Sequence, residues 1–441
     1  MTTEIAIMNK SAIALAADSA VTITKSGTQG NSEKVLNTAN KLFALSKYNP
    51  VGIMFYGNAS LQGVPWEPII KEYREILGNS EFTTLDDYCK HFFNYLDNID
   101  IGEDAQKQYL GQHAFTISTD IITGLDNWVQ NELSANRHLT EEQIHDKLRD
   151  IIVTINNDLA NEESKCLLSK AKRNILKKKY SDVLDDAINH VFQQHKITSQ
   201  MKKQLFSIAI NAASIGLLNS SSGVVIAGFG SKELYPHCND YTVYAVLAGK
   251  TIKRLERSNS IATNMGASIM SFAQSESVST FMEGIGPKIQ EFLKGTFFNI
   301  MVNKMPAYLA AEINKKISVP HDKEAEVVRI ISEMCCGVCE YAFQQLEEQK
   351  TNNYINPVTE ATGFLNKAEL ATMAETLVNL ESFRKQVTME TETVGGPIDV
   401  AVITKGDGFV WIKRKLYFDP ALNHHFFRNY YRKGNTDGNE S

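Results

Sequence analysis

The sequence predicts an α+β fold in which antiparallel sheets are covered by helical layers. Two observations predict it. Short apolar or alternating runs come in pairs separated by turn-forming residues, and long amphipathic patterns come in blocks between those pairs. Paired strands and grouped helices do not alternate as a doubly wound parallel sheet requires. The predicted order is two hairpins, a helical block, a hairpin, a second helical block, a helix and a last hairpin.

The N-terminal region begins with four strand-like runs and continues into helices. The runs EIAIMN and SAIALAAD form one hairpin with its turn at Asn9–Lys10, and KLFALS and VGIMFYG form a second hairpin. The stretch KSGTQGNS between the two hairpins is typical of a turn. Helical spacing of apolar residues starts after Pro65 and continues through 84–97.

Two long helical insertions are predicted to interrupt the core. A Thr-x-x-Gln capping box at Thr140 and a Gly-Asp-Gly turn at 406–408 are the sharpest local signals. In chain order the predicted segments are the N-terminal half of the core at 2–99, a helical insertion at 100–219, core strands at 220–260, a helical insertion at 261–360, a core helix and hairpin at 361–430, and a disordered tail at 431–441.

Composition excludes several classes of protein. The 441 residues carry a formal net charge of −6, and the only long basic run is KAKRNILKKK at 170–179, so we expect no nucleic-acid partner. No apolar stretch approaches the ~20 residues of a membrane-spanning helix, so we expect no membrane partner. Six scattered cysteines and the lack of a signal-peptide pattern indicate a cytoplasmic protein.

Two threonines follow Met1 and suggest nucleophilic chemistry. A threonine hydroxyl becomes a useful nucleophile when its own backbone amine is free, because that amine can take the hydroxyl proton. Removal of Met1 would expose Thr2 in this form. The unperturbed pKa of an α-amine is ~8, so the group can act as a base near neutrality. A neighbouring lysine would lower that pKa, and an aspartate would orient the lysine.

The run TTEIAIMNKSAIALAADSAVT resembles the start of a mature proteasome β-subunit or of the bacterial HslV-type peptidase. Such subunits begin Thr-Thr, form a hairpin and reach Ala-Ala-Asp-Ser-x-x-Thr, which matches Ala16–Thr22, with Asp18 sixteen positions after Thr2. The resemblance implies a divergent bacterial-type member with a four-layer α-β-β-α N-terminal-nucleophile (Ntn) hydrolase sandwich. It also implies that a threonine hydrolyses peptide or amide bonds.

The family also needs a lysine at the start of the next hairpin and a glycine whose backbone N–H stabilises the oxyanion. Lys34 has the family's linear spacing, whereas Lys41 immediately precedes the strand LFALS. We favour Lys41, because position relative to the strand decides where a side chain points. Gly57, in FYGNAS, matches the oxyanion glycine. The implied mechanism has Thr2 attack a carbonyl while Lys41 and Asp18 set the electrostatics.

The resemblance is partial in the rest of the chain. The Gly-Gly pair at 395–396 and the Asp-Gly turn at 407–408 match the family, but its supporting residues do not. The family's aspartate falls at Thr391, one serine falls at Val394, and Phe229 replaces another serine. The resemblance covers under half of the chain. The long helical blocks have no counterpart in a minimal β-subunit of the family.

Other functions and plainer roles stay open at this point. The chain is also consistent with a catalytically inactive proteasome-like scaffold or assembly protein, or with an Ntn amidase of small substrates. Asp18 is compatible with a turn cap, Lys41 with an exposed strand-start lysine and Gly57 with an ordinary turn. Cys336-x-x-Cys339 lacks a second pair and indicates core thiols rather than a metal site.

The resemblance also bears on partners. It implies a peptide or protein substrate, and it implies a homo-oligomer because family members assemble into rings. An ATP-dependent unfoldase would be a further partner. The implied chemistry needs no cofactor and no metal.

Overall fold

The computed structural model divides into two compact units. Unit 1 takes in the described residues within 1–42, 265–402 and 410–441, and unit 2 takes in those within 43–264 and 403–409. The predicted tail at 431–441 lies outside the described residues. The structure describes residues 3–27, 30–217, 221–262, 266–317, 320–388, 395–425 and 428.

The described strands are two to ten residues long. They are β1 Thr3–Asn9, β2 Ile13–Ala17, β3 Val21–Gly27, β4 Gly30–Leu36, β5 Leu42–Ala44, β6 Val51–Gly57, β7 Ser60–Leu61, β8 Val64–Pro65, β9 Ser222–Gly228, β10 His237–Val246, β11 Thr251–Ser260, β12 Ala267–Ala273, β13 Asp399–Thr404 and β14 Gly408–Lys413.

The α-helices fall into groups along the chain. They are α1 Trp66–Leu77, α2 Leu85–Asn98, α3 Glu103–Ser134, α4 Glu141–Asn161, α5 Lys170–Lys179, α6 Ser181–Val191, α7 Ser199–Ile215, α8 Glu276–Glu283, α9 Pro287–Phe298, α10 Met305–Lys316, α11 Glu324–Lys350, α12 Asn356–Phe364 and α13 Lys367–Val387. No helix within the described ranges is long and apolar enough to cross a membrane.

Unit 1 is built on a five-stranded sheet in the order β12–β1–β2–β13–β14, in which β1 pairs antiparallel with both neighbours. Helix α13 packs on one face, where Ile5, Ile7 and Val400 meet Leu377 and Val378. All of β1 and β2 is buried, including the face opposite α13. Burial on both faces explains why these strands read as continuous apolar runs rather than alternating ones.

Unit 2 is built on a second five-stranded sheet, in the order β11–β10–β9–β6–β5. Helices α1 and α2 pack on it, so that Trp66 and Phe92 share a core with Phe55 and Val224. The insertion helices α3, α5, α6 and α7 form a further core around Ala245 and its neighbours on β10. A third apolar cluster joins α3, α4, α6 and α7 to one another.

Local turn and cap signals in the sequence are confirmed. The Asn9 side-chain oxygen accepts hydrogen bonds from the backbone N–H groups of Ser11 and Ala12, which closes the β1–β2 turn. At the start of α4, Thr140 and Gln143 form the predicted capping box. The last hairpin turns immediately before Gly408, whose φ is +73°. These signals act over a few residues and do not depend on the rest of the fold.

Two predictions from the sequence are wrong. The stretch 25–32, treated as a turn between the two predicted hairpins, overlaps two further strands, β3 and β4, which pair antiparallel with each other. Residues 267–273, placed in a mainly helical region, form β12. The partner of β12 is β1, more than 250 residues away in the chain, in a register that runs from Thr3↔Ala273 to Asn9↔Ala267. Such long-range pairing overrides local propensity. The four-layer arrangement of the two sheets stays a prediction.

Gly228 provides a test of the unit 2 sheet. Its φ is +147°, and a Cβ added there would lie 2.0 Å from the carbonyl oxygen of Pro50. We predict that Gly228→Ala lowers the free energy of unfolding by at least about 2 kcal/mol, because the backbone of β6 and β9 must move apart. Urea unfolding measures the change.

Gly124→Ala is the matched control. Gly124 lies on the exposed face of α3 in the same unit, and an added Cβ meets nothing within 4 Å. Alanine favours the helix over glycine, so this variant should gain up to about 1 kcal/mol. Equal stability of the two variants would contradict the packing of β9 against β6.

Candidate active site

Asp18 is the centre of a buried polar cluster in unit 1. It follows β2 directly and has no exposed surface. Its Oδ1 accepts hydrogen bonds from the backbone N–H of Thr3 at 3.2 Å and from Lys41 Nζ at 2.5 Å. Its Oδ2 accepts from the backbone N–H groups of Ala20 at 3.2 Å and Gly395 at 3.1 Å. Both oxygens are therefore fully engaged, and the carboxylate orientation is fixed by three separate stretches of backbone.

Lys41 is the lysine that the sequence analysis favoured for its position before the predicted strand LFALS. It lies immediately before β5, its side chain is 1 % exposed, and its Nζ contacts Asp18. Lys34, the competing residue, is exposed on β4. The structure thus brings Lys41, and not Lys34, to Asp18. The plainer interpretation of Asp18 also applies, because the same carboxylate binds backbone amides.

Glu4 is a member of this cluster that the sequence analysis missed. It lies on β1 with no exposed surface, and its Oε1 is 3.4 Å from Lys41 Nζ. One ammonium group therefore faces two carboxyl groups in a buried site. The sequence signal for this role was a single charged residue within an otherwise apolar strand. Glutamate is almost never fully buried unless it is paired, so such a residue needs a partner.

Residues 395–397 are bound tightly to the end of β2. The backbone N–H of Ser19 donates to Gly395 O at 3.2 Å, and the Ser19 hydroxyl donates to Pro397 O. Gly396 has a φ of +77°, and an added Cβ would lie 2.8 Å from Asn37 Cβ. Glycine is required at 396 both by its backbone conformation and by this close approach.

Three residues of the predicted mechanism lie outside the described residues. They are Thr2, the predicted nucleophile, and Thr391 and Val394, which fall at the family's supporting positions. The described residue nearest to Thr2 in the chain is Thr3, which is fully buried in β1 and whose hydroxyl donates to Gln274 O at 3.4 Å.

Gly57 and Phe229 belong to unit 2. Gly57 ends β6 with a φ of +75°, and an added Cβ would lie 3.1 Å from Ser221 O, so both geometry and space favour glycine. Phe229 is 1 % exposed, and its backbone N–H donates to Pro50 O at 3.0 Å. A buried aromatic ring thus stands where the sequence resemblance would place a serine.

The cysteine pair on α11 consists of free thiols. Cys339 is buried and Cys336 is partly exposed. Among the described residues, no group of three or more His, Cys, Asp or Glu side chains is placed to hold a metal ion.

Comparison with known proteins gives a weak structural match. The chain is similar to an Anbu mutant from Hyphomicrobium sp. strain MC1, with a TM-score of 0.27 and 8 % identity over 100 % of this chain and 99 % of the Anbu chain. No protein-family model and no curated protein matches the sequence. A TM-score of 0.27 is too low to establish a common fold, so the site is argued from its own geometry.

The buried ion pair predicts a large difference between two lysines. Lys41→Met leaves Asp18 and Glu4 buried without their cation, so the free energy of unfolding should fall by about 3 kcal/mol or more. Lys34→Met makes the same chemical change at an exposed position and should shift stability by less than about 0.5 kcal/mol. Urea unfolding of both variants measures the difference, and similar values would contradict the assignment of Lys41.

Proposed function

We propose that the protein is a proteasome-like threonine hydrolase that cleaves peptide or amide bonds through Thr2, exposed by removal of Met1. The observation that carries the proposal is the buried Lys41–Asp18 pair, whose shared carboxylate oxygen also accepts the backbone N–H of Thr3. Thr2 is covalently bonded to that nitrogen. Bond lengths alone keep the Thr2 hydroxyl within about 5 Å of it.

The proposed mechanism uses the Thr2 amine as a base. The neutral amine is the form that can accept the hydroxyl proton. Glu4 and Asp18 hold Lys41 from two sides. We assign both carboxyl groups a positioning role.

The proposed reaction proceeds through an ester. The Thr2 hydroxyl oxygen attacks the substrate carbonyl carbon, and the Thr2 amine takes the hydroxyl proton. In this proposal the Gly57 N–H stabilises the oxyanion. The C–N bond of the substrate breaks, and the protonated amine gives its proton to the leaving nitrogen. Water then attacks the ester, the amine takes a proton from the water, and the Thr2 hydroxyl is restored when the ester C–O bond breaks.

A catalytically inactive scaffold or assembly protein is the second candidate. The buried ring of Phe229, at a position where the family has a hydroxyl group, favours it. The two candidates differ in whether Thr2 hydrolyses a substrate. A homo-oligomer and an ATP-dependent unfoldase remain predictions for either candidate.

Intact mass and hydrolysis of a fluorogenic peptide panel test the proposal. The native protein should lack Met1 and should cleave at least one peptide. Thr2→Ala should lower kcat/KM by at least about 10³-fold because it removes the nucleophile, whereas Thr2→Ser should keep measurable activity. Lys34→Met, outside the cluster, should match the native rate.

Two results would overturn the proposal. Retention of Met1 in the native protein would block the amine and exclude the mechanism. Cleavage by Thr2→Ala at the native rate would assign any activity to another group and leave the scaffold candidate.

A further inference from the structure

A pocket of 190 Å³ lies within unit 2, between the short strands that follow β6 and the first half of α3. No charged side chain lines it among the residues that the structure describes. Its polar wall is made of three serines, of four carboxamides (Asn58, Gln62, Gln108 and Gln112) and of two phenols (Tyr109 and Tyr244). A wall with this composition is built for hydrogen bonding without charge.

Two groups on this wall have unused hydrogen-bonding capacity. Tyr109 is 8 % exposed, and its Oη has no hydrogen-bond partner within the described part of the chain. The same holds for the buried Nε2 of Gln62. Buried polar groups are nearly always paired, and both of these groups belong to residues that line the pocket.

The orientation of Gln62 is fixed. Its Oε1 accepts a hydrogen bond from the backbone N–H of Val246 at 2.7 Å, which leaves Nε2 as the donor end. Gln62 and Gly63 form the two-residue turn between β7 and β8, which accounts for their φ values of +48° and +88°. Gln62 therefore offers a preset donor.

The protonation state of Tyr109 is also defined. Burial raises the pKa of its hydroxyl, so the group stays neutral at physiological pH. A neutral phenol can donate one hydrogen bond and accept another. Together, Gln62 and Tyr109 present a donor for a carbonyl oxygen and an acceptor for an N–H group.

We propose that this pocket binds an uncharged primary carboxamide, such as the side chain of Gln or Asn in a peptide. The ligand carbonyl accepts from Gln62 Nε2, and its NH₂ group donates to Tyr109 Oη. The volume is below the ~300–1,000 Å³ of pockets for drug-sized ligands and suits a group as small as one side chain. An ionised ligand is disfavoured, because no described counter-charge would replace its hydration. The proposal does not depend on Thr2, since every residue it uses lies in unit 2.

Ligand-observed NMR titration of the full chain tests this binding. N-acetyl-glutamine N-methylamide, whose side chain is its single primary carboxamide, should bind saturably in the millimolar range expected of so small a fragment. N-acetyl-glutamic acid N-methylamide at pH 7 has nearly the same shape but carries a negative charge and no primary carboxamide, and it should bind at least about tenfold more weakly.

Tyr109→Phe and Tyr180→Phe form a matched pair of variants. Tyr180 is buried in the same core cluster as Tyr109 but does not line the pocket. Tyr109→Phe should weaken carboxamide binding about fivefold, the effect of losing one hydrogen bond, without lowering the melting temperature, because its hydroxyl has no described partner to lose. Tyr180→Phe should leave the affinity unchanged.

Three outcomes would overturn the proposal. The first is no saturable binding of the carboxamide at tens of millimolar, and the second is equal binding of the carboxamide and the carboxylate. The third is unchanged affinity in Tyr109→Phe. The first outcome would assign the unpaired groups to water alone, and the other two would show that these groups do not select the ligand.

Discussion

The structure of the candidate site depends on one carboxylate. Asp18 binds the backbone of β1 at Thr3, the backbone at Gly395 and the side chain of Lys41. These three stretches are far apart in sequence, and Asp18 joins all of them at one point. The hydrogen bonds that this carboxylate accepts therefore determine the positions of the Lys41 side chain and of the Thr3 backbone.

Burial of these charges is costly. Removing ions from water costs several kcal/mol for each, and well-packed apolar residues of similar volume often give equal or greater stability. Glu4 increases the cost, because it places a second carboxyl group 3.4 Å from Lys41 Nζ. Buried clusters of ionisable groups of this kind concentrate at functional sites.

The sequence predicted what is encoded locally. The Asn9 turn, the Thr140 capping box and the position of Lys41 before β5 each depend on a few neighbouring residues. Strand β12 was missed because its partner is β1, across most of the chain. Glu4 and the Tyr109 pocket were missed for a related reason, since burial and unused hydrogen-bonding groups arise only when distant elements pack together.

The central claim is that Thr2 is a nucleophile served by the Asp18 cluster. Reaction of the native protein with a β-lactone probe, followed by peptide mass spectrometry, tests it most directly. The account predicts one ester adduct, on the hydroxyl of an N-terminal Thr2, formed more slowly in Asp18→Asn, which keeps the side-chain shape but removes the charge that holds Lys41. No adduct, or an adduct at another residue, would contradict it.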